Sequence, residues 1–177
     1  MAVVQDEDLR EVVLVGHGYG GMVMTGVAER VPERLSQLVS LDAFVPEHGQ
    51  ALLDLHSPEE RAHCPALAQM QGDGWRIPRS DVDRDLARWG VTEPDDVAWM
   101  RPRIGAQSLR AFTQPVQRQH PATQALPRTY IRCAQGPSPT FAATAARVHA
   151  DPRWRCRRAM TPWSRCRSNE WRCCWNS

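Results

Sequence analysis

One stretch constrains this chain more than any other: Val12-Val13-Leu14-Val15-Gly16-His17-Gly18-Tyr19-Gly20-Gly21. A β-branched apolar run stops in a cluster of glycines. Met22-Val23-Met24-Thr25-Gly26-Val27-Ala28 follows, with apolar residues at helical spacing. The pattern predicts a buried strand over 12–15, a sharp turn, and a helix over 20–31 ended by Pro32 and packed back on the strand. Glycines at such a turn permit positive φ and close backbone approach. The first turn of the helix presents N–H groups to negative charge.

Two known sites are built on this shape. Gly16-His17-Gly18-Tyr19-Gly20-Gly21 satisfies G-x-G-x-x-G, the phosphate-binding turn of dinucleotide folds. Asp42 ends the next apolar run, Leu38-Val39-Ser40-Leu41-Asp42, about 20 residues on, where a ribose-binding acid is expected. The same residues fit G-x-S-x-G, the nucleophile elbow of α/β-hydrolases, with Gly18 standing where the serine belongs.

The wider text favours the second. Val12 to Gly21, then Val31-Pro32-Glu33-Arg34-Leu35, then Leu38 to Glu47 with its Asp42-Ala43-Phe44-Val45-Pro46, resembles the salicylate-esterase and hydroxynitrile-lyase-like group of α/β-hydrolases. The likeness runs through Arg128-Thr129-Tyr130-Ile131-Arg132-Cys133 and fades near Arg155. It implies an α/β class: a partial α/β-hydrolase fold within one domain over 1–177. A parallel sheet forms the core, with strands at 12–15, 37–42 and 128–133. A helical cap is inserted over about 45–125, with helices at 58–70, 81–89 (Ser80 as its cap), 94–101 and 108–112, and a further helix follows at 141–150.

The resemblance also assigns roles. Gly18 holds the nucleophile position without a hydroxyl. The backbone N–H of Tyr19 is half of an oxyanion hole. In plant members an aspartate of the triad follows the 128–133 strand, but here Ala134-Gln135-Gly136-Pro137-Ser138 holds no carboxylate. That leaves Asp42 as the candidate acid, against the plainer reading of a loop aspartate holding backbone N–H groups. His17 neighbours Gly18, but alternation along the strand turns it from the pocket. In the family a long section precedes the elbow, supplying strands and the other half of the oxyanion hole. The expectation is therefore a truncated copy whose 12–15 strand is exposed and prone to self-association.

The tail departs from the pattern. Residues 151–177 contain no Leu, Ile or Val, but four Trp, four Cys and seven Arg. Codon degeneracy permits a shifted frame from Arg158 onward that reads Gly-His-Asp followed by an amphipathic helix, which is how the family ends. In the frame at hand the triad histidine is missing, so 151–177 is an aberrant tail.

Composition excludes several classes. The 22 basic residues are all Arg, and the net charge is +2. The tail contributes +5 of this, leaving −3 on the remaining body, so no basic surface for nucleic acid is expected. No run spans a membrane, and Met1 to Asp8 lacks a signal-like pattern, which points to the cytoplasm. His48, His56, His63, Cys64 and His120 lack metal-ligand spacing, so neither metal nor cofactor is expected. Trp75, Trp89 and Trp99 are candidates for the cap core or for an aromatic pocket. The functional expectation is a carboxylic-ester hydrolase by descent, inactive as written, whose ligand is a small ester or aromatic acid. The alternatives are a non-catalytic binding module and, more remotely, a dinucleotide-binding protein through Gly16-x-Gly18-x-x-Gly21.

Overall fold

A computed structural model describes residues 1–79, 81–133 and 138–159. A short helix α1 (Ala2–Asp6) leads into strand β1 (Val12–Gly18) and helix α2 (Gly20–Ala28). Strand β2 (Leu35–Ala43) follows a turn of 3-10 helix at Pro32–Arg34. Helix α2 is shorter than the sequence pattern predicts. Pro32 disfavours helical backbone at the residue before it, and Val31 has φ −140°.

Between residues 45 and 125 the chain is mostly helical. It runs through α3 (Pro58–Gln71), β3 (Arg76–Ile77), α4 (Val82–Arg88), α5 (Pro94–Met100), β4 (Gln107–Ser108), α6 (Leu109–Thr113) and α7 (Pro121–Ala125). Helix α3 opens on a capping box: Ser57 Oγ accepts from Glu60 N–H at 3.2 Å, and the Glu60 carboxylate accepts from Ser57 N–H at 3.4 Å. Helix α4 is capped by Asp81, whose carboxylate accepts from Arg84 N–H at 2.9 Å. Ser80, expected in that role, lies outside the described residues. Strands β3 and β4 form an antiparallel pair that periodicity could not reveal, because each is two residues long.

The chain returns to the sheet with β5 (Arg128–Cys133), α8 (Pro139–His149) and β6 (Trp154–Ala159). The main sheet has order β1-β2-β5-β6, and every neighbouring pair is parallel. The start of the tail is thus a fourth strand, which the sequence reading did not place; residues 160–177 lie outside the description. β6 can form without Leu, Ile or Val because backbone bonds to β5 carry it while its Trp154 packs beside Tyr130, ring centroids 6.4 Å apart.

Register places Leu14, Leu38, Arg128 and Trp154 on one face, with Ser40 and Tyr130. Helix α2 covers part of that face, packing Met24 and Ala28 against Leu35 and Leu38. Helix α8 brings Val148 against Tyr130 and Val45. Burying a side chain such as Leu38 stabilises by about 1.5–3 kcal/mol. On the opposite face of β1, Val13 and Val15 remain 48% and 60% exposed. A separate cluster joins the helical insertion to the sheet layer: Met22 of α2 packs with Leu52, Leu53, Ala68, Ile77 and Phe112. Helix α7 is tied to α2 by Thr123, whose Oγ1 donates to Ala28 O at 2.8 Å.

Candidate functional site

The turn between β1 and α2 is built by three glycines, for two separate reasons. Gly18 sits at φ +53°, left-handed backbone that side chains rarely adopt. A Cβ on Gly16 would come 2.7 Å from Gly20 O, and one on Gly21 would come 2.0 Å from Phe44 O. Those two glycines let the helix start lie directly against the strand ends. At Gly18 a Cβ would meet nothing within 4 Å. Position 18 therefore opens to free space, and only its backbone conformation resists a side chain.

Tyr19 is the N-cap of α2, already in helical backbone conformation (φ −60°, ψ −25°), and its carbonyl accepts from Met22 N–H at 2.9 Å. Its N–H belongs to the positive end of the helix, the chemistry an oxyanion requires. Gly18 O accepts from Phe44 N–H at 3.1 Å, which ties the turn to the end of β2.

Asp42 lies beside this turn, near the end of β2, buried and at φ +36°. Its Oδ1 accepts from Cys133 N–H at 3.0 Å, joining the C-terminal ends of β2 and β5. The carboxylate thus has a backbone-holding bond of its own. Its negative charge also reaches His17: burial lowers the imidazole's pKa below the ordinary 6.5, and Asp42 opposes that shift. His17 is consequently neutral at pH 7. Tyr130, with no exposed surface, donates from its hydroxyl to Ala43 O at 3.2 Å, and its pKa is raised by burial and then by Asp42.

An aromatic group surrounds Phe44 that the sequence reading did not single out. The Phe44 ring stacks on His56 with centroids 5.3 Å apart and meets Phe141 edge-on at 5.1 Å. His56 also leans on Phe112 at 6.1 Å, and its Nδ1 lies 2.9 Å from Leu52 O. The signal was faint because these residues come from three distant parts of the chain. The tryptophans expected there are elsewhere. Trp75, Trp89 and Trp99 are exposed, each beneath a guanidinium, from Arg76, Arg79 and Arg103. Neither the cap core nor a pocket holds them; cation–π contact and water satisfy their rings.

His48 and His120 serve the backbone. His48 Nδ1 accepts from Arg118 N–H at 3.1 Å, and His120 Nδ1 accepts from Ala122 N–H at 3.2 Å, capping α7. Among the described residues no three His, Cys, Asp or Glu side chains gather as metal ligands. No described helix is long and apolar enough to cross a membrane. The stretch 134–137, where the resemblance would put a triad aspartate, and the tail beyond 159 lie outside the described residues.

Comparison with known proteins gives this geometry a context. The sequence profile of the alpha/beta hydrolase family matches residues 2–170. A carbendazim-hydrolyzing esterase from Nocardioides sp. strain SG-4G is 35% identical over 161 residues, covering 87% of this chain and 64% of the esterase. This chain thus spans a little under two thirds of that relative. Among solved structures, an extracellular α/β-hydrolase from a Paenibacillus species matches with a TM-score of 0.64 at 23% identity, over 88% of this chain and 65% of that one. A pyrethroid hydrolase from Sphingobium faniae JZ-2 matches with a TM-score of 0.61 at 17% identity, over 90% and 68%. The two structural likenesses speak to fold.

Proposed function

The chain belongs to the alpha/beta hydrolase family, and from that premise we propose that it is a carboxylic-ester hydrolase by descent that does not turn over esters. The observation that carries this is Gly18. The elbow is built, with the left-handed residue at the strand-to-helix turn and a helix start behind it, but the residue there has no nucleophilic atom. Ester hydrolysis on this plan needs a hydroxyl, an imidazole to take its proton, and an acid to orient that imidazole. His17 is neutral at pH 7, yet it lies in β1 itself, in register with Leu41 and one position before the turn. We assign Asp42 to holding the Cys133 amide rather than to orienting a catalytic histidine. What survives is the positive helix end at Tyr19 and the aromatic surroundings of Phe44.

Those remnants favour a second reading: a non-catalytic module that holds a small ester or aromatic acid. Aromatic rings beside a helix N-terminus suit a planar carboxylate, with the rings against its face and the N–H groups toward its charge.

The test is hydrolysis of 4-nitrophenyl acetate by the chain and by Gly18→Ser. Both should be indistinguishable from buffer. Burst kinetics with an acyl-enzyme detected by mass in Gly18→Ser would overturn the account, because some base would then be activating the new hydroxyl. Titration with salicylate separates the two readings: saturable binding supports the module, and its absence leaves the inactive hydrolase.

A further inference from the structure

The far end of the sheet holds a cavity. It lies at the N-terminal ends of β2, β5 and β6, about 20 Å along the strands from Gly18. Its water-accessible volume is about 370 Å³, and Ser36, Gln37, Arg128, Thr129, Arg153 and Arg155 line it. Three of its eight lining residues are arginines, two of them, Arg153 and Arg155, from the basic stretch that begins at residue 151.

The cations are unequally compensated. Arg153 is held by Asp151, with Nη2 at 2.7 Å from Oδ2. Arg128 is only 3% exposed, and its guanidinium donates to the carbonyls of Thr123 and Gln124 and lies beneath the Trp154 ring. No carboxylate forms an ion pair with Arg128 or Arg155 among the described residues. Burial lowers the Arg128 pKa to about 10, and Arg118 and Arg153 press it in the same direction. Asp151 and Glu29 oppose that shift without forming an ion pair with Arg128, and an arriving anion would relieve the remaining cost of the buried charge. Thr129 adds a directed donor: its Oγ1 accepts from Gln37 Nε2 at 2.9 Å, which leaves its own proton free to point elsewhere.

We propose that this cavity binds a phosphate monoester of a small molecule. Arg155 and Arg153 would meet the phosphate oxygens and Thr129 would donate a hydrogen bond, while Arg128, whose guanidinium is held on the opposite face of the sheet, adds buried positive charge nearby. Guanidinium forks match phosphate oxygens geometrically, and a volume in the range of small-molecule sites exceeds what a lone phosphate ion fills. The site is separate from the elbow and does not rest on the esterase reading.

The experiment is isothermal titration of the whole chain with phenyl phosphate and with inorganic phosphate, against sodium chloride at matched ionic strength. Saturable binding of phenyl phosphate, tighter than that of inorganic phosphate, supports a monoester; equal affinities overturn the monoester assignment. Arg155→Ala, an exposed position whose loss spares the core, should weaken binding about tenfold or more. Arg101→Ala, a surface arginine paired with Asp83 in the helical insertion, should leave it unchanged. Absence of saturable binding, or equal weakening by both variants, overturns the proposal.

Discussion

Replacing Gly21 by alanine should destabilise the protein, while the same change at Gly26, further along the same helix, should stabilise it. Propensity alone treats both positions alike: alanine gains about 1 kcal/mol over glycine in a helix interior. The structure separates them. At Gly21 the new Cβ would lie 2.0 Å from Phe44 O and 3.1 Å from Ala43 Cβ, more than an ångström inside ordinary contact with a backbone atom. Phe44 cannot yield freely, because its N–H holds Gly18 O at 3.1 Å. Overpacking costs about 1–3 kcal/mol or more, and an approach of 2.0 Å to a backbone atom belongs at the upper end, so the net loss after the propensity gain should be about 2 kcal/mol. At Gly26 the Cβ meets nothing within 4 Å, and the gain of about 0.5–1 kcal/mol should survive. For a chain of this size about 1 kcal/mol moves the melting temperature by roughly 2–4 °C, so the two variants should bracket the parent. Thermal and urea unfolding with unchanged m-values is the assay. A Gly21→Ala variant melting at or above the parent would refute the close seating of α2 on the end of β2.

Asp42 gives a second discrimination. Asp42→Ala should lose about 1–3 kcal/mol, because the buried Cys133 N–H is left without its acceptor, whereas Asp42→Asn keeps an acceptor and tolerates φ +36°, losing less; equal losses in denaturation would show that this bond is not what Asp42 contributes. The exposed Val13 and Val15 on edge strand β1 should drive self-association, so the parent should elute as oligomers in size-exclusion chromatography and Val15→Lys should shift it toward monomer; a parent that runs as a single monomeric species counts against it. Asp151 has its pKa lowered from 3.8 to about 2, first by the Arg153 side chain and then by the Arg153 backbone N–H. Its contribution to stability is therefore complete above pH 3.8 and lost as pH falls through about 2, and Asp151→Asn should flatten the acid limb of a stability–pH curve in that window.

The sequence by itself determined the elements with a strong local signal. Val12 to Val15 could be little other than a strand, because β-branched residues in a continuous apolar run fit a parallel sheet covered by helices. The glycine cluster dictated a sharp turn, Pro58 marked the start of α3, and the text around Gly18 resembled a nucleophile elbow without its serine. Each of these depends on neighbours in the chain. The tertiary structure decided what depends on residues far apart. It set which glycines are obligatory, since the obstacle to Gly21 is the carbonyl of Phe44. It gave Asp42 the Cys133 amide as partner, gathered Phe44, His56, Phe112 and Phe141 while leaving three tryptophans outside, and drew Arg155 into a strand beside β5. Periodicity records which way a side chain points along its own element. It carries no record of which distant backbone atom waits there, and that contact fixes whether a glycine is optional or a carboxylate is occupied.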